Sequence, residues 1–169
     1  MNLDVDTFKS IYVYDIIETR QSTYQKKAEE LVKTYNVHRR LEEHQINSLL
    51  RAMRGATDVI PVTIYISKRM ERSPKEGWSF TRDGKKLGEV ILEFINTEIA
   101  IDAQSVKNIR NDVTNTTIDS EFVERFIEEA KLSLTARFLS YFAAYYQFKK
   151  TGMRSSTTAQ KQMEIEENV

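Results

Sequence analysis

Four carboxylates are the first residues to weigh for chemistry. Glu89, Glu93, Asp102 and Asp112 lie close together in the chain, and hard divalent cations such as magnesium take oxygen ligands of this kind. A metal-dependent hydrolase built on them would carry the Asp plus Glu-x-Lys pattern of metal nucleases, which is absent, and strand glutamates ordinarily make a solvated face. His38 and His44 are six apart, whereas two ligands stack on one helical face at a spacing of three or four. They read as surface or capping histidines. The stretch RDGKKLG, Arg82 to Gly88, has basic shoulders but lacks the glycine to lysine-threonine frame of a phosphate loop, so it reads as a turn. Neither a Ser-His-Asp set, a nucleophile elbow nor a dinucleotide fingerprint is present. With no cysteine, disulfides and thiolate zinc sites are excluded and a reducing compartment is implied. The expectation is therefore no catalytic residue, no metal and no cofactor, with a metal-dependent hydrolase as the third-ranked reading.

Charge offers a second chemistry. The 25 basic and 25 acidic residues cancel, so no global field recruits a polyanion, but the distribution along the chain is uneven. Residues 38–86 carry eleven cations against six acids, and residues 87–148 carry ten acids against five cations. Arg39, Arg40, Arg51 and Arg54 lie on or beside a predicted second helix. Lys68, Arg69, Arg72, Lys75, Arg82, Lys85 and Lys86 cluster at the ends of a predicted β-ribbon. Of these, Arg51, Arg54, Lys68, Arg69, Arg72, Lys85 and Lys86 are the candidates for a phosphate backbone, with Trp78 or Tyr65 available to stack on bases.

The elements that would position these residues read as α, then β, then α. Phe8, Ile11, Tyr12, Ile16, Tyr24, Ala28, Leu31 and Tyr35 recur at three and four, which predicts one long amphipathic helix over Asp6–Tyr35 with a gap near Gln21. Leu41, Ile46, Leu49, Leu50 and Met53 predict a short second helix ending at Gly55, a residue suited to a left-handed cap. Pro61 interrupts that pattern, and VTIYISKR (Val62 to Arg69) alternates β-branched and aromatic residues as a strand does. Asp83-Gly84 then predicts a two-residue hairpin turn. The implied register sets Phe80 opposite Leu87 and Trp78 opposite Glu89, so that Trp78, Phe80, Leu87 and Ile91 share a core face. INTEIAID, Ile95 to Asp102, extends the sheet or adds a strand. Leu87, Val90, Ile91, Phe94 and Ile95 also fit a helix, and the strand is preferred here. The predicted fold is α+β: a long N-terminal helix, a short second helix, a central antiparallel hairpin or meander, and a long C-terminal helix. Residues 1–150 form one domain.

The C-terminal helix is expected to start near Asp119 or Ser120, with Glu121 and Glu124 in its first turn, and to end near Lys150. At 100° per residue its first half confines Phe122, Val123, Phe126, Ile127 and Ala130 to an arc of about 140°. The apolar positions between Leu132 and Phe148 spread over about 240°, leaving a polar strip of Ser133, Arg137, Ser140 and Gln147. A helix so apolar is buried on more than one side. A membrane span would need about 20 uncharged residues, and Arg137 interrupts a shorter run. The second side is therefore the N-terminal helix or another subunit, and Tyr141, Tyr145, Tyr146 and Phe148 are the candidate oligomer interface, because aromatics are enriched there. After Gly152 the chain is polar and aperiodic, predicting a tail over 151–169 that is disordered or bound to a partner.

These features predict a non-enzymatic, self-associating structural or adaptor protein. Its partners would be copies of itself and other proteins of an assembly, a ring-like or virus-particle assembly among them. The runner-up is a nucleic-acid-binding protein that uses the basic ribbon and helix. The N-terminus, MNLDVDTFK, has acids where a signal peptide needs a basic and then apolar run, so a cytoplasmic or intravirion setting is expected.

Overall fold

The computed structural model describes residues 5–108 and 120–166, with side chains described for 6–108 and 120–152. Two long helices dominate it: α1 (Val5–Thr34) and, at the C-terminal end, α7 (Ser120–Glu166). Tyr24, Ala28, Leu31 and Val32 of α1 are buried, as are Phe126, Leu134, Phe138, Phe142 and Tyr146 of α7. The three-and-four spacing of each set turns one stripe of each helix toward the other. Lys9 bonds Glu129 near the start of both helices, while Gln25 lies against Tyr141 and Tyr145 further along both. The helices therefore run in the same direction.

A parallel pair needs a crossover, and residues 37–108 supply it. The crossover comprises α2 (Val37–Arg40), α3 (Glu43–Met53), α4 (Ile60–Arg72), strands β1 (Thr81–Arg82) and β2 (Lys85–Lys86), and α5 (Leu87–Phe94), followed by a π-helical turn at Ile95–Ile99 and α6 (Ala100–Gln104). Its apolar faces join the same core. Trp78 packs edge-on to Tyr65 at 6.1 Å and beside Phe142 of α7 at 6.5 Å. Phe94 sits between Tyr24 and Phe138, at 5.9 and 4.7 Å. α5 approaches α4 so closely at Gly88 that an added Cβ would stand 2.8 Å from Ile66 Cγ2.

The architecture corrects the α+β expectation: the described chain is mostly helical, with only a two-stranded hairpin. Val62 to Arg69 is not a strand but the body of α4. Pro61 lies in the first turn of that helix, where its missing N–H costs nothing, so it starts an element that the sequence reading had it break. Val62 and Ile66 are buried, four residues apart, while Ile60 and Ile64 are 57% and 46% exposed. The helical period, not the alternation, decides which residues face the core, and tertiary packing overrides β-propensity. The Asp83-Gly84 turn is present with positive φ at both residues, 51° and 79°, and pairs Thr81 with Lys86 and Arg82 with Lys85. Leu87 N–H donates to Phe80 O at 3.0 Å, as the register predicts. There the ladder stops, because Leu87 begins α5; Trp78 is not opposite Glu89, and Ile95 to Asp102 continues as helix.

α1 is unbroken at Gln21. α3 ends before Gly55, whose φ of 73° is left-handed as expected. α7 continues to Glu166, past the predicted end at Lys150. The predicted Asp119 cap lies outside the described residues.

Candidate functional site

The three candidate carboxylates among the described residues, Glu89, Glu93 and Asp102, do not converge on one site. Glu89 accepts the Lys86 backbone N–H at 3.0 Å and pairs with Lys86 Nζ at 3.2 Å, the first of these contacts holding its carboxyl below the usual range. Glu93 pairs with Lys85 Nζ at 2.7 Å. Asp102 accepts hydrogen bonds from Arg20 Nε and Tyr24 Oη, each at 2.8 Å, and Arg20 also reaches Glu98 at 3.1 Å. This cluster ties α1 to the crossover: Asp102 raises the Arg20 pKa further, and burial, then Asp102, pushes the Tyr24 phenol far above its ordinary value. Asp112 lies outside the described residues. Among the described residues no group of three or more His, Asp or Glu side chains is arranged to hold a metal ion. His44 is exposed and 3.0 Å from Glu42. His38 is half-buried near Lys149 and Lys150, and burial, then Arg39 and these lysines, lowers its pKa.

The seven cations of the predicted nucleic-acid surface divide into three groups. Lys85 and Lys86 are engaged by Glu93 and Glu89. Lys68, Arg69 and Arg72 lie toward the C-terminal end of α4; Arg69 and Arg72 line a cavity with Gln45 at the start of α3, where Tyr65 Oη donates to Gln45 O at 2.8 Å. Arg51 and Arg54 lie at the opposite end of α3, about 9 to 13 Å further along its axis at 1.5 Å per residue. Trp78 is 1% exposed, so it offers no stacking face.

Of the predicted interface residues, Tyr146 belongs to the core of its own chain: it is fully buried, donates to Leu41 O at 3.1 Å and accepts from Lys150 Nζ at 2.7 Å. Tyr141, Tyr145 and Phe148 are brought together. With Ala144 and with Gln25 of α1 they line an apolar groove of about 380 Å³, and Phe148 is 72% exposed. A second groove of about 540 Å³ lies further back along the same helix pair, lined by Val13, Tyr14, Ile17, Phe126 and Ser133. Tyr14 is 64% exposed.

The two grooves share a seam. Positions eleven apart on a helix differ by only about 20° in direction, which sets Tyr14 over Gln25 on α1, and Ser133 over Ala144 and Arg137 over Phe148 on α7. Glu18 falls between Tyr14 and Gln25, and Arg137 falls at the same level on α7. Neither makes an ion pair among the described residues. The sequence reading found the aromatic half of this surface but missed Tyr14, Glu18 and Gln25; the eleven-residue spacing of Tyr14 and Gln25 was the only signal, in a helix read as amphipathic. Among the described residues no helix is long and apolar enough to cross a membrane. The chain matches no protein-family model, no curated protein and no solved structure.

Proposed function

We propose that this protein is a non-enzymatic, self-associating structural or adaptor protein, and that a second copy of the chain covers the α1/α7 seam. One observation carries the reading: an exposed aromatic seam with one unpaired acid and one unpaired base facing outward at its middle. Aromatic side chains left in water along two helices stabilise a complex when covered. The charges select the covering surface. A two-fold axis running along the helix pair lays α1 of one copy on α7 of the other, which sets Glu18 opposite Arg137 of the second copy, twice. An axis across the helices would instead set Glu18 against Glu18, a like-charge contact that disfavours that pairing. Such a contact is isologous and closes on itself. Head-to-tail docking of the basic segment onto the acidic one that follows it has less support, because Glu89, Glu93, Glu98 and Asp102 are paired within the chain.

Sedimentation velocity across a hundredfold range of protein concentration tests the reading. Wild type is expected to pass from monomer to dimer. Glu18→Arg and Arg137→Glu, made singly, should each weaken the dimer several-fold, and the double charge swap should restore it. Tyr145→Ala with Phe148→Ala should abolish the dimer while the monomer still melts cooperatively, because buried interface aromatics commonly contribute about 2 kcal/mol or more each. A strict monomer at every concentration, or a double swap no better than its singles, would sink the proposal.

A further inference from the structure

Away from the seam, three arginines surround a small cavity. Arg40, Arg69 and Arg72, with Gln45, Ser73 and Trp78, line a space of about 150 Å³, well below the roughly 300 to 1,000 Å³ of pockets that hold drug-sized ligands. The local fold fixes this meeting. Gly77 has φ +55° and packs its backbone against Leu41, where a Cβ would stand 3.3 Å from Leu41 Cδ2. Ser79 Oγ donates to Met70 O at 2.7 Å. The loop after α4 is thereby folded back onto the end of α2, bringing Arg40 to Arg69 and Arg72. Two of the guanidiniums are held in place by rings: Arg40 Cζ lies 3.6 Å from the Phe80 centroid and Arg69 Cζ 5.3 Å from that of Tyr65. Stacking of this kind orders an arginine while leaving its in-plane N–H groups free. None of the three arginines makes an ion pair among the described residues. Glu42 and Glu76 also line the cavity. Both are exposed, and Glu42 is engaged by His44, so three cations outnumber two acids at its rim. The partial negative charge at the C-terminal end of α4 amounts to about half an electron and cannot account for three arginines.

We propose that this cavity binds a phosphate dianion, either inorganic phosphate or the terminal phosphate of a small phosphomonoester. Forked guanidiniums match the oxygens of a tetrahedral dianion. The size of the space suits one anionic group rather than a phosphodiester chain, which needs an open track on both sides of each phosphate. Trp78, the single tryptophan of the chain, lines the cavity and reports on it. The full chain is titrated with sodium phosphate, with O-phosphoserine and with a single-stranded oligonucleotide lacking terminal phosphates. Chloride compensates ionic strength, and indole fluorescence and calorimetry are read together. Saturable one-site binding of phosphate or phosphoserine is expected, with the tighter of the two identifying the source. Arg69→Gln with Arg72→Gln should weaken it at least about tenfold, as loss of charge-assisted hydrogen bonds implies. Lys68→Gln, on the same helix but outside the cavity, should leave it unchanged. Three results would overturn the proposal: no saturable response by about 50 mM phosphate, equal binding by the double-arginine variant with its helical circular dichroism intact, or binding of the oligonucleotide alone.

Discussion

At the scale of single residues, the decisive groups are polar side chains that the fold has paired. Asp102, with 13% of its side chain exposed, receives Arg20 from one side and the fully buried Tyr24 from the other. Removing the carboxylate leaves the Arg20 Nε–H and the buried Tyr24 phenol without their acceptor, while Arg20 keeps only Glu98, and an unsatisfied buried donor costs more than a net hydrogen bond contributes. Asp102→Ala is therefore expected to destabilise the protein by about 2 to 4 kcal/mol, and Tyr24→Phe, which leaves the Arg20 pair intact, by about 1 to 2 kcal/mol. Urea denaturation followed by circular dichroism measures both. A smaller loss for Asp102→Ala than for Tyr24→Phe would show that the ion pair carries none of the link between α1 and the crossover. The same logic explains why acids that looked available in the sequence are not: Glu89 and Glu93 hold nearby lysines of the hairpin, and Asp102 holds Arg20 of α1.

At the scale of elements, α4 shows how one string of residues satisfies two periods. Val62, Ile64 and Ile66 alternate, and a strand would put all three on one face. In the helix Ile66 is fully buried while Ile64 is 46% exposed. Ile66→Ala is expected to cost about 2 to 5 kcal/mol, the usual range for truncating a buried isoleucine, and Ile64→Ala less than about 1 kcal/mol. Comparable losses at both positions would restore the strand. Pro61 and the turn at Asp83-Gly84 mark the limits of local inference. The hairpin was legible because positive φ at two successive residues is a local demand that Asp-Gly meets. The helix that follows it was legible only as the alternative to a strand, because Phe94 packs between Tyr24 and Phe138, far away in the chain.

At the scale of the whole molecule, a cationic junction joins the crossover to the far end of the long helices. His38 follows α1, and Lys149 and Lys150 come from α7; burial, then Arg39 and these lysines, disfavours the charged imidazole. Its folded-state pKa lies below the ordinary 6.5, so between those two values the unfolded chain binds a proton that the folded chain refuses. That contribution to stability is complete above pH 6.5 and is lost as pH falls from there toward the lower folded value. The melting temperature should fall more steeply below pH 6.5 in wild type than in His38→Gln, which cannot take the proton. Parallel pH profiles for the two proteins would remove His38 from the junction.

What the sequence determined by itself was whatever local chemistry demands. It identified two long amphipathic helices, the α3 stop at a left-handed glycine, the hairpin turn and its first pair, and an apolar surplus on α7 too wide for one partner surface. The tertiary structure decided the rest, because burial is a relation between distant residues. It made α4 and α5 helical by giving Ile66 and Ile91 a core to fill. It buried Tyr146 while leaving Phe148, two residues on, in solvent. It also paired Glu89, Glu93, Glu98 and Asp102 with cations from α1 and the hairpin, and it folded the loop after α4 back so that Arg40 meets Arg69 and Arg72. Periodicity can count how many faces of a helix are apolar, but only the packing of α1 along α7 fixes which of them remains uncovered.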